Sequence, residues 1–131
     1  MNWLNIFVVF AGSGLGGACR FLSSKWIQSL FPHSAFPWGT FAVNVLGCLI
    51  IGVLYGLIDQ GKLLNPELRL LLTVGFCGGF TTFSTFVNEN YLLFTGSPTQ
   101  ALTALGYLLA SVLVGFVLLY IGHYIGSISC P

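Results

Sequence analysis

Four apolar stretches dominate the chain: Trp3 to about Ile27, Trp38 to Ile58, Leu68 to about Phe94, and Ala101 to about Ile125. A helix crosses a bilayer core in roughly 20 apolar residues, because only a helix or a closed barrel satisfies its own backbone hydrogen bonds without water. Each stretch reaches that length. The connectors hold the breaking and polar residues: Phe31-Pro32-His33-Ser34-Ala35-Phe36-Pro37, Asp59-Gln60-Gly61-Lys62 with Asn65-Pro66-Glu67, and Thr95-Gly96-Ser97-Pro98. With 5% charged residues over 131 positions, the chain cannot cover itself with a soluble surface. The expectation is an all-α, multi-pass membrane protein, a single four-helix transmembrane domain spanning residues 1–131. Met1-Asn2-Trp3 offers no basic side chain, so the first stretch is read as a span and not as a cleavable signal.

The net charge is +1, which gives no reason to expect a nucleic-acid partner. The placement of the basic residues says more. With four spans, Lys62 and Arg69 fall on the side of the N-terminus, and Arg20 and Lys25 at or toward the other. The Lys/Arg difference that orients a membrane protein is therefore two against two. Either the topology is fixed, by some other signal or because Arg20 is buried and not counted, or the chain inserts both ways up.

Cys19, Cys48, Cys77 and Cys130 form no CxxC or Cys/His cluster, so neither a zinc site nor a disulfide framework is expected. Each span carries a Gly-xxx-Gly pair: Gly12/Gly16, Gly52/Gly56, Gly75/Gly79 and Gly122/Gly126. Lipid provides little hydrophobic gain on joining helices, so small residues that let backbones approach supply the packing. The pattern predicts a tight bundle without choosing between contacts inside one chain and contacts between two.

Polar groups inside spans are costly and normally face a bundle interior or a wet path. Thr40, Asn44 and Gly47 share one face of the second span, and Thr103, Tyr107, Ser111 and Gly115 recur every four residues on the fourth. The ionisable groups within spans are Arg20, Glu89 toward the exit of the third and His123 near the end of the fourth. None is a midplane carboxylate of the kind a proton-coupled exporter uses as its relay. No nucleophile stands beside a base, so an enzyme is not expected. Neutral donors, an arginine and aromatic rings suit an anion.

The run GFCGGFTTFSTF, residues 75 to 86, interrupts the third span near its middle. Gly75, Gly78 and Gly79 weaken the helix there, and Thr81, Thr82, Ser84 and Thr85 can cap a new one. A break at membrane depth exposes carbonyls that suit a cation such as Na⁺ and amides that favour an anion. Phe76, Phe80 and Phe83 share a face, as do Phe83 and Phe86, and an aromatic edge is electropositive enough to meet an anion.

These residues resemble the CrcB or Fluc family of fluoride channels. Three motifs carry the resemblance: Gly16-Gly17-Ala18-Cys19-Arg20-Phe21, Gly39-Thr40-Phe41-Ala42-Val43-Asn44 through Gly47, and GFCGGFTTFSTF. The resemblance implies an antiparallel, dual-topology homodimer with two fluoride pores along its interface, exporting fluoride passively across a bacterial inner membrane. It further implies a structural Na⁺ at the dimer centre, held by backbone carbonyls of Gly78 and Thr81. Phe83 and Phe86 map to the pore phenylalanines, Asn44 to the pore asparagine, and Tyr107 and Ser111 to the pore hydroxyls. Thr40, on the face of Asn44, and Arg20 complete the expected pore set. The alternative is a small dual-topology, proton-coupled multidrug exporter, which shares length, span number and charge balance but needs the midplane carboxylate that is missing.

Overall fold

The computed structural model describes residues 2–129. Among these residues helix is the only regular secondary structure, and four segments are long and apolar enough to cross a membrane: Trp3–Ser29, Trp38–Asp59, Pro66–Phe94 and Pro98–Ile128. The first two are the continuous helices α1 (Trp3–Ser29) and α2 (Trp38–Asp59). The third span is split. Its first half, α3, runs through Pro66–Leu70, the π-wound stretch Leu71–Cys77 and the last turn Gly78–Phe80, and its second half is α4 (Ser84–Phe94). The last helix is α5 (Pro98–Ile128).

Two helices begin earlier than hydropathy indicates, at prolines that read as connectors. Proline lacks the N–H that a first-turn residue leaves unused, and its fixed φ already suits a helix. Asn65 caps α3 by accepting from the Leu68 amide at 2.9 Å. Ser97 and Gln100 form a reciprocal capping box around Pro98.

All four Gly-xxx-Gly pairs are used inside the chain. A Cβ on Gly12 would lie 2.5 Å from the Leu71 carbonyl oxygen and 2.9 Å from Gly75 Cα, and one on Gly16 would strike the Phe76 carbonyl. Gly79 meets the Ser13 carbonyl in the same way, so α1 and α3 lie backbone to backbone. Gly52 and Gly56 face the Leu119 and His123 carbonyls of α5, and Gly122 and Gly126 face Leu49 and Val53 of α2. The fold is thus two close helix pairs, α1 with α3 and α2 with α5, each held by small residues as lipid demands.

The third span breaks inside the GFCGGFTTFSTF run, as expected: Gly78 is still helical, at φ −61° and ψ −39°, and the interruption lies just past the glycines at Thr81–Phe83, with Thr81 extended at φ −104° and ψ 160°. Gly75 and Gly79 serve close approach to α1. Past the break, Phe83 no longer continues the Phe76/Phe80 face: those two rings stack at 5.6 Å, whereas Phe83 is 77% exposed and neighbours Phe86.

At the N-terminal side of the bundle, the α2–α3 loop folds back on α5. Lys62 Nζ donates to the Ser127 carbonyl at 3.2 Å and to the Ser129 carbonyl, and Asp59 pairs with His123 at 2.9 Å. Cys19, Cys48 and Cys77 are free thiols, and Cys130 lies outside the described residues.

Candidate functional site

The break is held by side chains from two other helices. Asn44 of α2 closes a two-way bond with Thr82: its Nδ2 donates to the Thr82 carbonyl at 3.0 Å, and its Oδ1 accepts from the Thr82 amide at 2.8 Å. Arg20 of α1 donates from Nε to the Gly79 carbonyl at 2.9 Å. A turn beyond Asn44, Gly47 receives the methyl of Thr81, which a Cβ would displace. The hydroxyl-rich sequence then restarts the helix, Thr82 Oγ1 accepting from the Thr85 amide at 3.3 Å.

This bonding frees specific backbone oxygens. In an uninterrupted helix the Thr82 amide would donate to the Gly78 carbonyl, but Asn44 takes it. The Thr85 amide goes to Thr82 Oγ1 and not to the Thr81 carbonyl. Among the described residues, neither the Gly78 nor the Thr81 carbonyl accepts a hydrogen bond. Two uncommitted carbonyls three residues apart are the oxygen donors a hard cation prefers, so the residues present fit Na⁺.

A groove of about 620 Å³ runs along the open face of the bundle beside the break. Asn44, Gly78, Thr81, Phe83, Phe86 and Ser111 line it. Phe86 is 9% exposed and presses edge-to-face on Tyr107, with ring centroids 4.9 Å apart. One turn from Tyr107 along α5, the Ser111 hydroxyl is buried without a hydrogen-bond partner among the described residues. It does not bond back to its own helix, as Thr103 does to the Thr99 carbonyl at 3.2 Å.

The other expected residues lie elsewhere. Arg20 is not in the groove lining, and Thr40 and Tyr107 converge instead on Glu89. Tyr107 is fully buried and donates to Glu89 Oε1 at 3.0 Å, and Thr40 donates to Oε2 at 3.1 Å. The sequence marks Glu89 only as an ionisable group within a span. The available signal was that Thr40 and Tyr107 are hydroxyls on inward stripes of α2 and α5, each able to donate to a buried carboxylate.

A protein-family model described as CrcB-like protein, Camphor Resistance (CrcB), matches residues 7–123. A protein of Bacteroides fragilis named fluoride-specific ion channel FluC is 43% identical over 127 residues, covering 93% of this chain and 95% of that one. Proteins of the same name from Phocaeicola vulgatus and Gloeothece citriformis are 43% and 40% identical, each covering more than nine-tenths of both chains. With the matched region running from the first span to the fourth, the chain belongs to the CrcB family.

Proposed function

We propose that this chain is a fluoride channel of the bacterial inner membrane, working as an antiparallel homodimer that passes fluoride by electrodiffusion. The observation that carries the reading is the buried Ser111 hydroxyl, without an acceptor, on a groove wall beside Phe86. A stranded O–H donor in lipid is costly and is offset when an anion accepts from it. Fluoride holds its water strongly, so a pore must replace part of that shell while excluding larger anions. The Ser111 hydroxyl, with the edges of Phe83 and Phe86, is suited to that exchange, and Tyr107 and Thr40, whose hydroxyls donate to Glu89, would join it only by releasing that carboxylate. Asn44 and Arg20 contribute by holding the break that shapes the wall. The fluoride-channel relatives support the same reading.

The groove's open face, where Phe83 and Val74 are exposed, is the surface a second, inverted copy would cover. The Gly78 and Thr81 carbonyls would hold a structural Na⁺ there, supplying positive charge to fix the paired breaks together. An inside-negative potential drives the anion outward by about 2.3 kcal/mol per elementary charge per 100 mV, so no nucleotide or proton coupling is required.

Fluoride-electrode measurements on loaded liposomes test this. A channel gives rapid, uncoupled efflux that follows the membrane potential. Efflux that moves only with a proton gradient would favour an exporter built around Glu89, and no efflux would reduce the bundle to a scaffold.

A further inference from the structure

A second hollow of about 260 Å³, with Glu89 in its wall, opens between the α1–α2 connection and α4. Gln28, Phe36, Pro37, Glu89 and Leu93 form most of its wall, and Gln28 and Glu89 are its only polar side chains. Glu89 lies one helical turn from Phe86, which lines the central groove, so the Phe86, Tyr107 and Glu89 cluster stands between the two spaces. The hollow sits at the membrane side where α1 and α4 end and α2 and α5 begin.

Gln28 is fixed in one orientation. Its Oε1 accepts from the Gly39 amide at 3.1 Å, and since a backbone amide can only donate, the oxygen must point there. The side-chain NH₂ is left over and donates to nothing among the described residues. Both Glu89 oxygens are already occupied by Thr40 and Tyr107. An anion crossing this hollow meets one negative charge and one neutral N–H donor.

We propose that Gln28 is a positioning residue of the anion path: the hollow is its second mouth, and the Gln28 NH₂ holds the anion against repulsion from Glu89. The inference rests on the fluoride-conduction reading. It differs from a purely structural role, in which Gln28 only caps α2.

Gln28→Glu keeps the oxygen that caps Gly39 while replacing the donor with negative charge. Fluoride efflux from liposomes should fall about tenfold at low ionic strength, the lower end of what a charge at a mouth does to ion entry. An inert salt should restore much of it, because the screening length falls from about 30 Å at 0.01 M to about 8 Å at 0.15 M. Gln28→Met and Gln28→Lys both lose the cap, so its cost cancels between them; the lysine variant, which regains a donor, should conduct faster. Wild-type rates in Gln28→Glu, a loss that salt leaves untouched, or equal rates in the methionine and lysine variants would each overturn the proposal. A wild-type protein that passes no fluoride would instead sink the channel reading beneath it.

Discussion

Asn44 and Thr82, on different helices, exchange two hydrogen bonds of 3.0 and 2.8 Å, and this pair stands in for the helical bonding that the third span gives up. A carboxamide is the side chain that can donate and accept at once across such a gap. Asn44→Asp keeps the acceptor but turns the donating arm into a second oxygen facing the Thr82 carbonyl. Asn44→Leu removes both. We expect Asn44→Asp to lower stability by about 1–3 kcal/mol, the cost of a buried carbonyl left without its donor, and Asn44→Leu to cost more. Thermal unfolding in detergent checks this, and unchanged melting in both variants would remove the clamp from the account of the break.

The two phenylalanines at the groove separate pore chemistry from packing. Phe86 is buried against Tyr107, whereas Phe83 is 77% exposed. Replacing either by isoleucine removes the electropositive ring edge and keeps an apolar side chain. Phe86→Ile should cost about 0.5–1.5 kcal/mol through its lost edge-to-face pair, and Phe83→Ile close to nothing. Fluoride flux should nonetheless fall steeply in both. Near-normal flux in Phe83→Ile would leave that ring as lipid-facing or interface filler.

The spans were legible because hydropathy over some 20 residues is a strong signal, and the anion chemistry was legible because so few ionisable groups enter those spans. Helix starts at Pro66 and Pro98 were missed, since a proline reads locally as a breaker and only the caps Asn65 and Ser97 turn it into a first helical residue. The break was legible in the glycine- and hydroxyl-rich run and falls at its threonines; that Gly75 and Gly79 serve close approach to α1 is invisible from one segment. The convergence of Thr40 and Tyr107 on Glu89 was illegible for a simpler reason. Those residues lie 49 and 18 positions from it, and it is the packing of α2, α4 and α5 on one another that brings them together.

Orientation should be mixed. Arg20 and Lys25 oppose Lys62 and Arg69, so reporters fused at the C-terminus should report both sides of the membrane. Lys62 is tied to the last turn of α5, so additional charge is better placed beside it than substituted for it. Two lysines inserted next to Lys62 should bias the population to one orientation and lower flux in proportion. A wild-type population found on one side only would end the antiparallel homodimer.

The cation reading makes its sharpest claim at Gly78. Its backbone is ordinary helix, and a Cβ built there meets nothing within 4 Å, so Gly78→Ala costs little inside one chain. Gly16→Ala, by contrast, forces a methyl into the Phe76 carbonyl and should cost about 1–3 kcal/mol through overpacking. A loss of dimer in Gly78→Ala must therefore arise from outside the chain, from the inverted copy or the ion between the copies. Thr81→Val should be milder, because its hydroxyl merely repeats the bond that its amide already makes to the Cys77 carbonyl at 3.1 Å. An ion bound only by the assembled dimer stabilises it in proportion to the logarithm of its concentration once the site saturates. Replacing Na⁺ by a large organic cation should weaken the wild-type dimer and leave Gly16→Ala with its own deficit added on top. The fluoride reversal potential should stay fixed as the Na⁺ gradient is varied, since the ion is held and not carried. Full dimer stability in rigorously Na⁺-free buffer would dismiss the cation, and a reversal potential that tracks Na⁺ would make it a passenger.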